Sequence, residues 1–133
     1  MHVPHRTCGA LLAIVKMTKT AQGEPQQAIM AALGTEFYTK YVIVVDEDVD
    51  IFDMSDVMWA VSTRVRAEQD IMFIPGCKGA ILDPTSDPET FTVTKMGIDA
   101  TRPVGKDFAE RLAISDAQRA RVRGILEASG VKL

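Results

Sequence analysis

The chain has 133 residues, of which 47% are hydrophobic and 25% charged, a balance typical of a globular protein and not of a disordered one. The net charge is −3, and no cluster of lysine and arginine contradicts it, so a general binder of nucleic-acid backbones is excluded. No apolar run approaches the roughly 18 residues of a membrane span, and the N-terminus lacks the layout of a signal peptide. Cys8 and Cys77 form no paired motif, so we expect reduced thiols and a cytoplasmic location. His2 and His5 are the only histidines, which leaves little for histidine-based catalysis or a transition-metal site.

The first third of the chain alternates between strand and helix patterns. Cys8–Lys16 has the continuous apolar pattern of a buried strand. Pro25 suits the first turn of a helix, and Gly34 suits its end. The stretch Tyr41–Asp53 (YVIVVDEDVDIFD) then opens with a run of β-branched residues, which favours a strand buried on both faces, as in a parallel sheet.

The middle of the chain repeats this alternation. Ser55 is predicted to be the N-cap of a helix that runs to about Arg66. A strand over Gln69–Ile74 follows, and Pro75 and Gly76 are predicted to stop it. Strands and helices in this order indicate right-handed parallel crossovers, and therefore an α/β fold.

The last part combines a long loop, a strand and a helix. Pro75–Glu89 is predicted to be a loop, and loops of this length are often functional. Phe91–Met96 alternates as a strand does. Ser115 and Gln118 form a capping box that opens a final helix ending near Ser129. Its apolar stripe is expected to need a partner surface and consists of Val122, Ile125 and Leu126.

Acidic residues follow the β-branched run Val42–Val45 directly, where open α/β sheets usually bind ligands. They are Asp46, Glu47, Asp48, Asp50 and Asp53. A calcium loop is excluded, because Ile51 stands where the turn glycine belongs and Val57 where the bidentate glutamate belongs. A receiver-type phosphoacceptor site would need another aspartate and a lysine on later strand ends, but Asp83 and Lys78 share one predicted loop. The residues favour a polar strand-to-helix turn, with acids near a helix N-terminus.

Two further groups of residues allow alternative interpretations. The segment Gly76–Gly79 (GCKG) is either a backbone nest for an anion, with Lys78 as a point charge, or an ordinary turn after a strand. Cys77 has the chemistry of a nucleophile, but no histidine is nearby in sequence to activate it. The second of these groups consists of Lys95, Asp99 and Arg102, and it forms either a charged site or a solvated strand end with local ion pairs.

Four stretches in a fixed order carry a resemblance to a known family. They are YVIVVDEDVDIFD, VMWAVSTRV, DIMFIPGCKGAILDP and KMGIDATRP, preceded by VPHRTCGALLAIVKM and QAIMAALG. Over Val3–Pro103 the chain resembles the C-terminal domain of the UbiD family, decarboxylases and reversible carboxylases that use prenylated FMN. The resemblance implies a three-layer α/β/α sandwich with a mainly parallel or mixed central sheet. It also implies a domain, here residues 1–133, that closes over a flavin domain and contributes oligomer contacts.

The resemblance also assigns the catalytic groups to another part of the family's enzymes. An arginine and two glutamates at the reaction centre, and an asparagine, a histidine and a glutamate that hold the metal and the flavin phosphate, belong to the family's N-terminal part. None of them maps onto this sequence, so we expect no catalytic, cofactor-binding or metal-binding residue here and no activity of the chain alone. Prenylated FMN and a divalent metal are expected on a partner subunit or a missing domain.

Three hypotheses about function follow from the resemblance. The chain is the small subunit of a split carboxy-lyase, bound to a flavin-binding large subunit, or a self-associating module without catalytic work, or a domain excised from a longer enzyme. We expect a homo-oligomer for the isolated chain, with Trp59 and the final helix available for contacts. The residues expected on the substrate side or at the partner interface are Asp46, Glu47, Asp48, Pro75, Gly76, Cys77 and Lys78.

Overall fold

The computed structural model describes residues 9–112 and 115–129. After a 3-10 turn at Gly9–Leu11, its elements in chain order are β1 (Leu12–Met17), α1 (Glu24–Thr35), β2 (Tyr41–Asp46), α2 (Met54–Arg64), α3 (Ala67–Asp70), β3 (Ile71–Lys78), β4 (Thr92–Ala100) and α4 (Asp116–Ala128). Within the described ranges, no helix has the length and apolar character needed to cross a membrane.

The four strands form one mixed sheet in the order β1-β2-β4-β3. β2 lies between β1 and β4 and is parallel to both, with Ile43 opposite Ile14 on one side and Ile98 on the other. β3 is antiparallel to β4 and forms one edge of the sheet. Val42–Asp46 is buried throughout, so the prediction of a strand covered on both faces is confirmed.

Alternate residues of β2 point to opposite faces, and each face has its own helix and core. Val42 and Val44 pack with Ile29 and Leu33 of α1 on one face. On the opposite face, Ile43 and Val45 pack with Val57 and Ala60 of α2. A three-layer α/β/α sandwich with a mixed sheet is therefore confirmed.

The second crossover differs from the prediction. The chain leaves β2 through α2 and α3 but enters β3, which runs antiparallel to β4, so β2 and β3 do not form a parallel pair. Pro75 and Gly76 also do not end the strand, because β3 continues through a register shift between Ile74 and Cys77. Gly76 takes a φ of 71° at this bulge, a conformation that favours glycine. The loop predicted at Pro75–Glu89 therefore begins only after Lys78.

Several element boundaries move by a few residues. The N-cap of α2 is Asp53, whose carboxylate accepts a hydrogen bond from the backbone N of Ser55 at 2.9 Å, so Ser55 is not the cap. Gly34 does not end α1, which continues to Thr35. The predicted strand over Phe91–Met96 is longer and extends to Ala100.

The final helix begins as predicted. The backbone N of Ser115 donates to Gln118 Oε1 at 2.9 Å, and the backbone N of Gln118 donates to Ser115 Oγ at 3.2 Å, which is the reciprocal pattern of a capping box. On the apolar stripe, Val122 is 52% exposed and Ile125 is 60% exposed. The expected partner for this helix remains a prediction.

A buried ion pair fixes the loop between β3 and β4. Lys40 Nζ lies 2.9 Å from Asp83 Oδ2, both side chains are nearly inaccessible, and Lys40 also donates to the Thr85 hydroxyl. The backbone hydrogen bond from Thr85, followed by the hydrogen bond from Lys40, holds the pKa of Asp83 below its ordinary value, although burial opposes this. Burial lowers the pKa of Lys40, but its hydrogen bond to Asp83 and the nearby Tyr41 outweigh burial, so the net shift is upward.

This pair predicts a pH-dependent stability difference. A carboxylate with a depressed folded-state pKa stabilises the fold above its unfolded pKa of about 3.9, and this contribution disappears as the pH falls through the folded-state pKa. We expect Asp83→Asn to cost about 3 kcal/mol at neutral pH, because it leaves the buried Lys40 ammonium without its counter-charge. Urea unfolding at several pH values should show the gap between wild type and Asp83→Asn narrowing below about pH 4. A gap that stays constant across this range would contradict the predicted role.

Candidate functional site at the carboxyl end of the sheet

Arg64, the last residue of α2, binds two of the acidic candidates at the carboxyl end of β2. Its Nη1 lies 2.8 Å from Asp46 Oδ2 and its Nη2 lies 2.7 Å from Asp48 Oδ2. The Arg64 side chain is only 2% exposed. These contacts place the C-terminal end of α2 beside the carboxyl end of β2. The guanidinium forms a fork that suits two carboxylates at once.

Asp46 also binds the segment that follows β4. The backbone N of Arg102 donates to Asp46 Oδ2 at 2.8 Å, and Arg102 Nε lies 3.4 Å from the same oxygen. Asp46 therefore connects β2, α2 and the chain after β4. The hydrogen bonds from Arg64 are the main reason that the pKa of Asp48 lies below its ordinary value, while burial opposes them.

These contacts change the interpretation of the acidic turn. Asp46 and Asp48 do not simply stabilise a helix N-terminus, since they pair with arginines from α2 and from the segment after β4. Glu47 is exposed and accepts a hydrogen bond from the Thr18 hydroxyl at 2.8 Å. Among residues 9–112 and 115–129, no group of three His, Cys, Asp or Glu side chains is arranged to hold a metal ion.

The second set of candidates lies in β3 at the other end of the sheet. Cys77 pairs with Val93 and Lys78 pairs with Thr92, at the beginning of β4. β4 has nine residues, which corresponds to about 26 Å between its ends at 3.3 Å per residue. Because β2 and β4 are parallel, Asp46 lies beyond the far end of β4. The two sets therefore belong to separate surfaces and cannot contact one small molecule together.

Cys77 and Lys78 line a hollow at the C-terminal end of α1. Cys77 is a free, half-buried cysteine whose Sγ lies 3.5 Å from the carbonyl oxygen of Ile74. Lys78 Nζ lies 5.0 Å from the centre of the Phe37 ring, within the range of a cation–π contact. The hollow has a volume of about 420 Å³ and also contacts Glu36 and Lys95.

The structure does not bring Lys95, Asp99 and Arg102 together in one site. Lys95 is buried and donates to the carbonyl oxygens of Leu33 at 2.9 Å and Glu36 at 3.0 Å, at the end of α1. Asp99 accepts hydrogen bonds from the backbone N and the hydroxyl of Thr101, near the other end of β4. Arg102 pairs with Asp46, as described above.

Trp59 is partly engaged within the chain. It packs against the core on the α2 face. The Arg64 guanidinium lies 4.9 Å and the Arg111 guanidinium 4.2 Å from the centre of its ring. Arg111 also lies 2.5 Å from Asp56 Oδ1, which draws the segment after β4 toward α2. Its expected role in an oligomer contact remains a prediction, and these contacts reduce the surface it has available.

The sequence did not indicate a cavity of about 250 Å³ that lies at the carboxyl end of the sheet. Its walls come from the segments that follow β1 and β4 and from the turn between α2 and α3. Lys19 Nζ donates a hydrogen bond to the Thr101 hydroxyl at 2.6 Å in the cavity wall. Both residues follow the end of a strand, and this position is the one signal of the cavity that the sequence contains. The residues that line it are Lys19, Gln22, Thr63, Arg64, Val65, Arg66, Asp70, Asp99, Thr101, Pro103, Lys106 and Phe108.

The fold and these strand-end groups define an α/β/α sandwich domain with polar surfaces at both ends of a mixed sheet. Residues 1–100 match the family model of the 3-octaprenyl-4-hydroxybenzoate carboxy-lyase C-terminal domain. The chain therefore belongs to the UbiD C-terminal domain family, and the family suggested by the sequence motifs is confirmed.

Curated relatives agree with this assignment. The chain is 42% identical over 111 residues to the anhydromevalonate phosphate decarboxylase of Methanocaldococcus jannaschii, a match that covers 82% of this chain and 26% of that enzyme. It is 46% identical over 101 residues to the phenolic acid decarboxylase of Bacillus subtilis, covering 73% of this chain and 21% of the relative. The matches thus span about a quarter of the length of these relatives.

A solved structure of the same class has the same fold. The UbiD-class enzyme HmfF from Pelotomaculum thermopropionicum, in complex with FMN, superposes with a TM-score of 0.74 at 35% identity. This match covers 85% of this chain and 25% of that enzyme.

Proposed function

We propose that this chain is the small subunit, or the C-terminal domain, of a UbiD-type carboxy-lyase, with residues 1–133 acting as one domain. The observation that carries the proposal is the match of most of the chain to only about a quarter of the related decarboxylases. The reaction would be the non-oxidative decarboxylation, or reverse carboxylation, of an aromatic or unsaturated carboxylic acid. The chain would supply closure and oligomer contacts, and the remaining part of the enzyme would supply the chemistry.

The cofactors belong to that remaining part in this proposal. An evolved dimeric form of HmfF has been seen in complex with prenylated FMN, and its match to this chain covers only 21% of that enzyme. By the family resemblance, none of the groups that hold the flavin and the divalent metal is expected among these 133 residues. We therefore assign both cofactors to a flavin-binding polypeptide and derive no catalytic step from residues of this chain.

Closure is supported by a relative with two states. The vanillic acid decarboxylase of Sedimentibacter hydroxybenzoicus has been seen in an open and a closed form, at TM-scores of 0.68 for both and identities of 34% and 33%. In this chain, the two sets of candidate residues lie at opposite ends of the sheet, about 26 Å apart. We infer that one of these ends meets the flavin-binding part and that the other remains for contacts between subunits.

The subunit proposal predicts a complex that can be isolated. We expect the chain to copurify with a coexpressed polypeptide from the same source that matches only the flavin-binding part of these relatives. Decarboxylation of a phenolic or unsaturated acid should require both chains, and the flavin absorbance should travel with the larger one. A flavin-binding polypeptide that is fully active alone and never binds this chain would exclude the subunit role.

Charge reversals at the two ends can identify the interface. Glu47→Lys changes an exposed acid at the carboxyl end of β2, and Lys78→Glu changes a cation at the end of β3. A charge reversal at the interface should slow association, and the same change on a remote surface should have little effect. Each variant is therefore the control for the other. If both variants bound the partner as fast as the wild-type chain does, an interface at either end would be contradicted.

A self-associating module is the second candidate function. The exposed stripe of Val122 and Ile125 on α4 favours it, because an apolar helix face usually packs against another surface. Light scattering of the isolated chain distinguishes the candidates when it is combined with the coexpression result. An oligomer that never binds a flavin-binding partner would favour the module.

A further inference from the structure

The cavity of about 250 Å³ at the carboxyl end of the sheet carries more positive than negative charge. Its charged lining residues are Lys19, Arg64, Arg66 and Lys106 against Asp70 and Asp99. The carboxyl ends of parallel strands are where open α/β sheets usually bind small molecules. The segments after β1 and β4, two neighbours of the central strand β2, meet at this cavity.

Lys19 is the cation whose contacts are most informative. It is half-buried and donates to the Thr101 hydroxyl at 2.6 Å and to Gln22 Oε1 at 3.4 Å. Both acceptors are neutral, and within residues 9–112 and 115–129 no carboxylate lies within 4.0 Å of its ammonium. A partly desolvated ammonium has three donors and gains most from an anionic acceptor.

The other cations also have hydrogen-bonding capacity left. Lys106 has no hydrogen-bond or ion-pair partner in the described part of the chain. The nearly inaccessible Arg64 pairs through both terminal nitrogens, but its buried Nε has no hydrogen-bond partner among the described residues. The Arg66 side chain is 61% exposed, and its contact among the described residues is a 3.4 Å ion pair with Asp70.

The two acids of the cavity, Asp70 and Asp99, already accept hydrogen bonds within the chain. Asp70 accepts a hydrogen bond from the backbone N of Arg66 at 2.7 Å. Asp99 accepts from the backbone N of Thr101 at 3.0 Å and from Gln26 Nε2 at 3.2 Å. Both acids keep their negative charge, but neither lies within 4.0 Å of the ammonium of Lys19 or Lys106.

We propose that this cavity binds a small organic molecule through an oxyanion group, a phosphate or a carboxylate, held by Lys19 and Lys106. The donors and the surplus of positive charge suit an oxyanion and disfavour a metal cation. Val65, Pro103 and Phe108 supply an apolar wall for a short carbon skeleton. The volume suits a small metabolite better than a nucleotide or a larger ligand. The proposal concerns the chain alone and does not depend on a flavin-binding partner.

Calorimetric titration of the isolated chain tests the site. Inorganic phosphate and acetate are each added at an ionic strength held constant with sodium chloride. We expect saturable binding of at least one, weakened about tenfold or more by Lys19→Met and further by the Lys19→Met/Lys106→Met double variant. Tighter phosphate binding would assign a phosphate ester as the ligand class, and tighter acetate binding would assign a carboxylate.

Two controls make the result specific. Lys16→Met removes an exposed lysine of β1 that does not line the cavity, and it should leave the affinity unchanged. Lys19→Arg keeps the charge and should retain most of the binding. Circular dichroism confirms that each variant is folded. The proposal is overturned if neither anion binds at constant ionic strength, if the double variant binds as wild type does, or if Lys16→Met weakens binding as much as Lys19→Met.

Discussion

Replacing Arg64 with methionine should lower the free energy of unfolding by about 3–5 kcal/mol, because the substitution removes one partner of a buried ion pair. Asp46 is 7% exposed and would be left with only the contacts from Arg102. Asp48 contributes less, since its side chain is 34% exposed and water can solvate it. The Trp59 ring would also lose the guanidinium that lies 4.9 Å from its centre.

Urea unfolding of Arg64→Met measures this loss, with Arg66→Met as the matched control. Arg66 lies two positions further along the chain, is 61% exposed and forms a single 3.4 Å ion pair, so its loss should cost less than about 0.5 kcal/mol. An Asp46→Asn/Arg64→Met double variant should lose less free energy of unfolding than the two single variants lose in total, since each single substitution removes the same interaction. If Arg64→Met proved as mild as Arg66→Met, the buried network would not stabilise the fold as described.

The parts of the fold that the sequence predicted correctly depend on local patterns. The β-branched run at Val42–Val45 contains its own signal, because a strand buried on both faces needs apolar residues at successive positions. The capping box of Ser115 and Gln118 is equally local, since its two hydrogen bonds lie within four residues. Such signals need no knowledge of which strands become neighbours.

The direction and extent of β3 depend on information that is not local. Pro75 predicts a strand end in a central strand, but an edge strand tolerates proline at a bulge. The edge position follows from the sheet order β1-β2-β4-β3, which the hydrophobic pattern of Gln69–Ile74 does not specify. β3 also runs antiparallel to β4, and this places Cys77 and Lys78 at the end of the sheet opposite Asp46.

The candidate site was predictable only as far as the ends of single strands. Asp46 and Asp48 are conspicuous in the sequence, but their partner Arg64 lies 18 and 16 residues away and reads as an ordinary helix residue. Lys19 and Thr101 are 82 residues apart and have no shared motif, so the cavity between them becomes visible only after the sheet is assembled. Charge pairing across strands is a tertiary property, which composition and spacing do not contain.

Gly97→Ala is the second substitution with a large expected effect, a loss of about 3 kcal/mol from overpacking of the core. Gly97 lies in β4 between β2 and β3, directly beneath α1. A Cβ atom at this position would overlap with Ile29 Cγ2 and would lie 3.1 Å from Ile29 Cδ1, so the helix or the side chain would have to move. Ile29 is 1% exposed and packs with Val42 and Val44, so it has little room to yield.

The matched comparison uses a second glycine and a compensating variant. Gly34 lies within α1, and among the described residues no heavy atom outside its own helical turn lies within 4 Å of the position that an alanine methyl group would take there. Gly34→Ala should therefore stabilise the chain by about 0.5–1 kcal/mol through helix propensity. Ile29→Ala should cost about 2–5 kcal/mol alone by leaving a cavity. The Ile29→Ala/Gly97→Ala double variant should lose less free energy of unfolding than the two single variants lose in total, because the added methyl group then occupies part of that cavity. If Gly97→Ala were as harmless as Gly34→Ala in urea unfolding, α1 would not pack on the sheet as closely as the Ile29 contact requires.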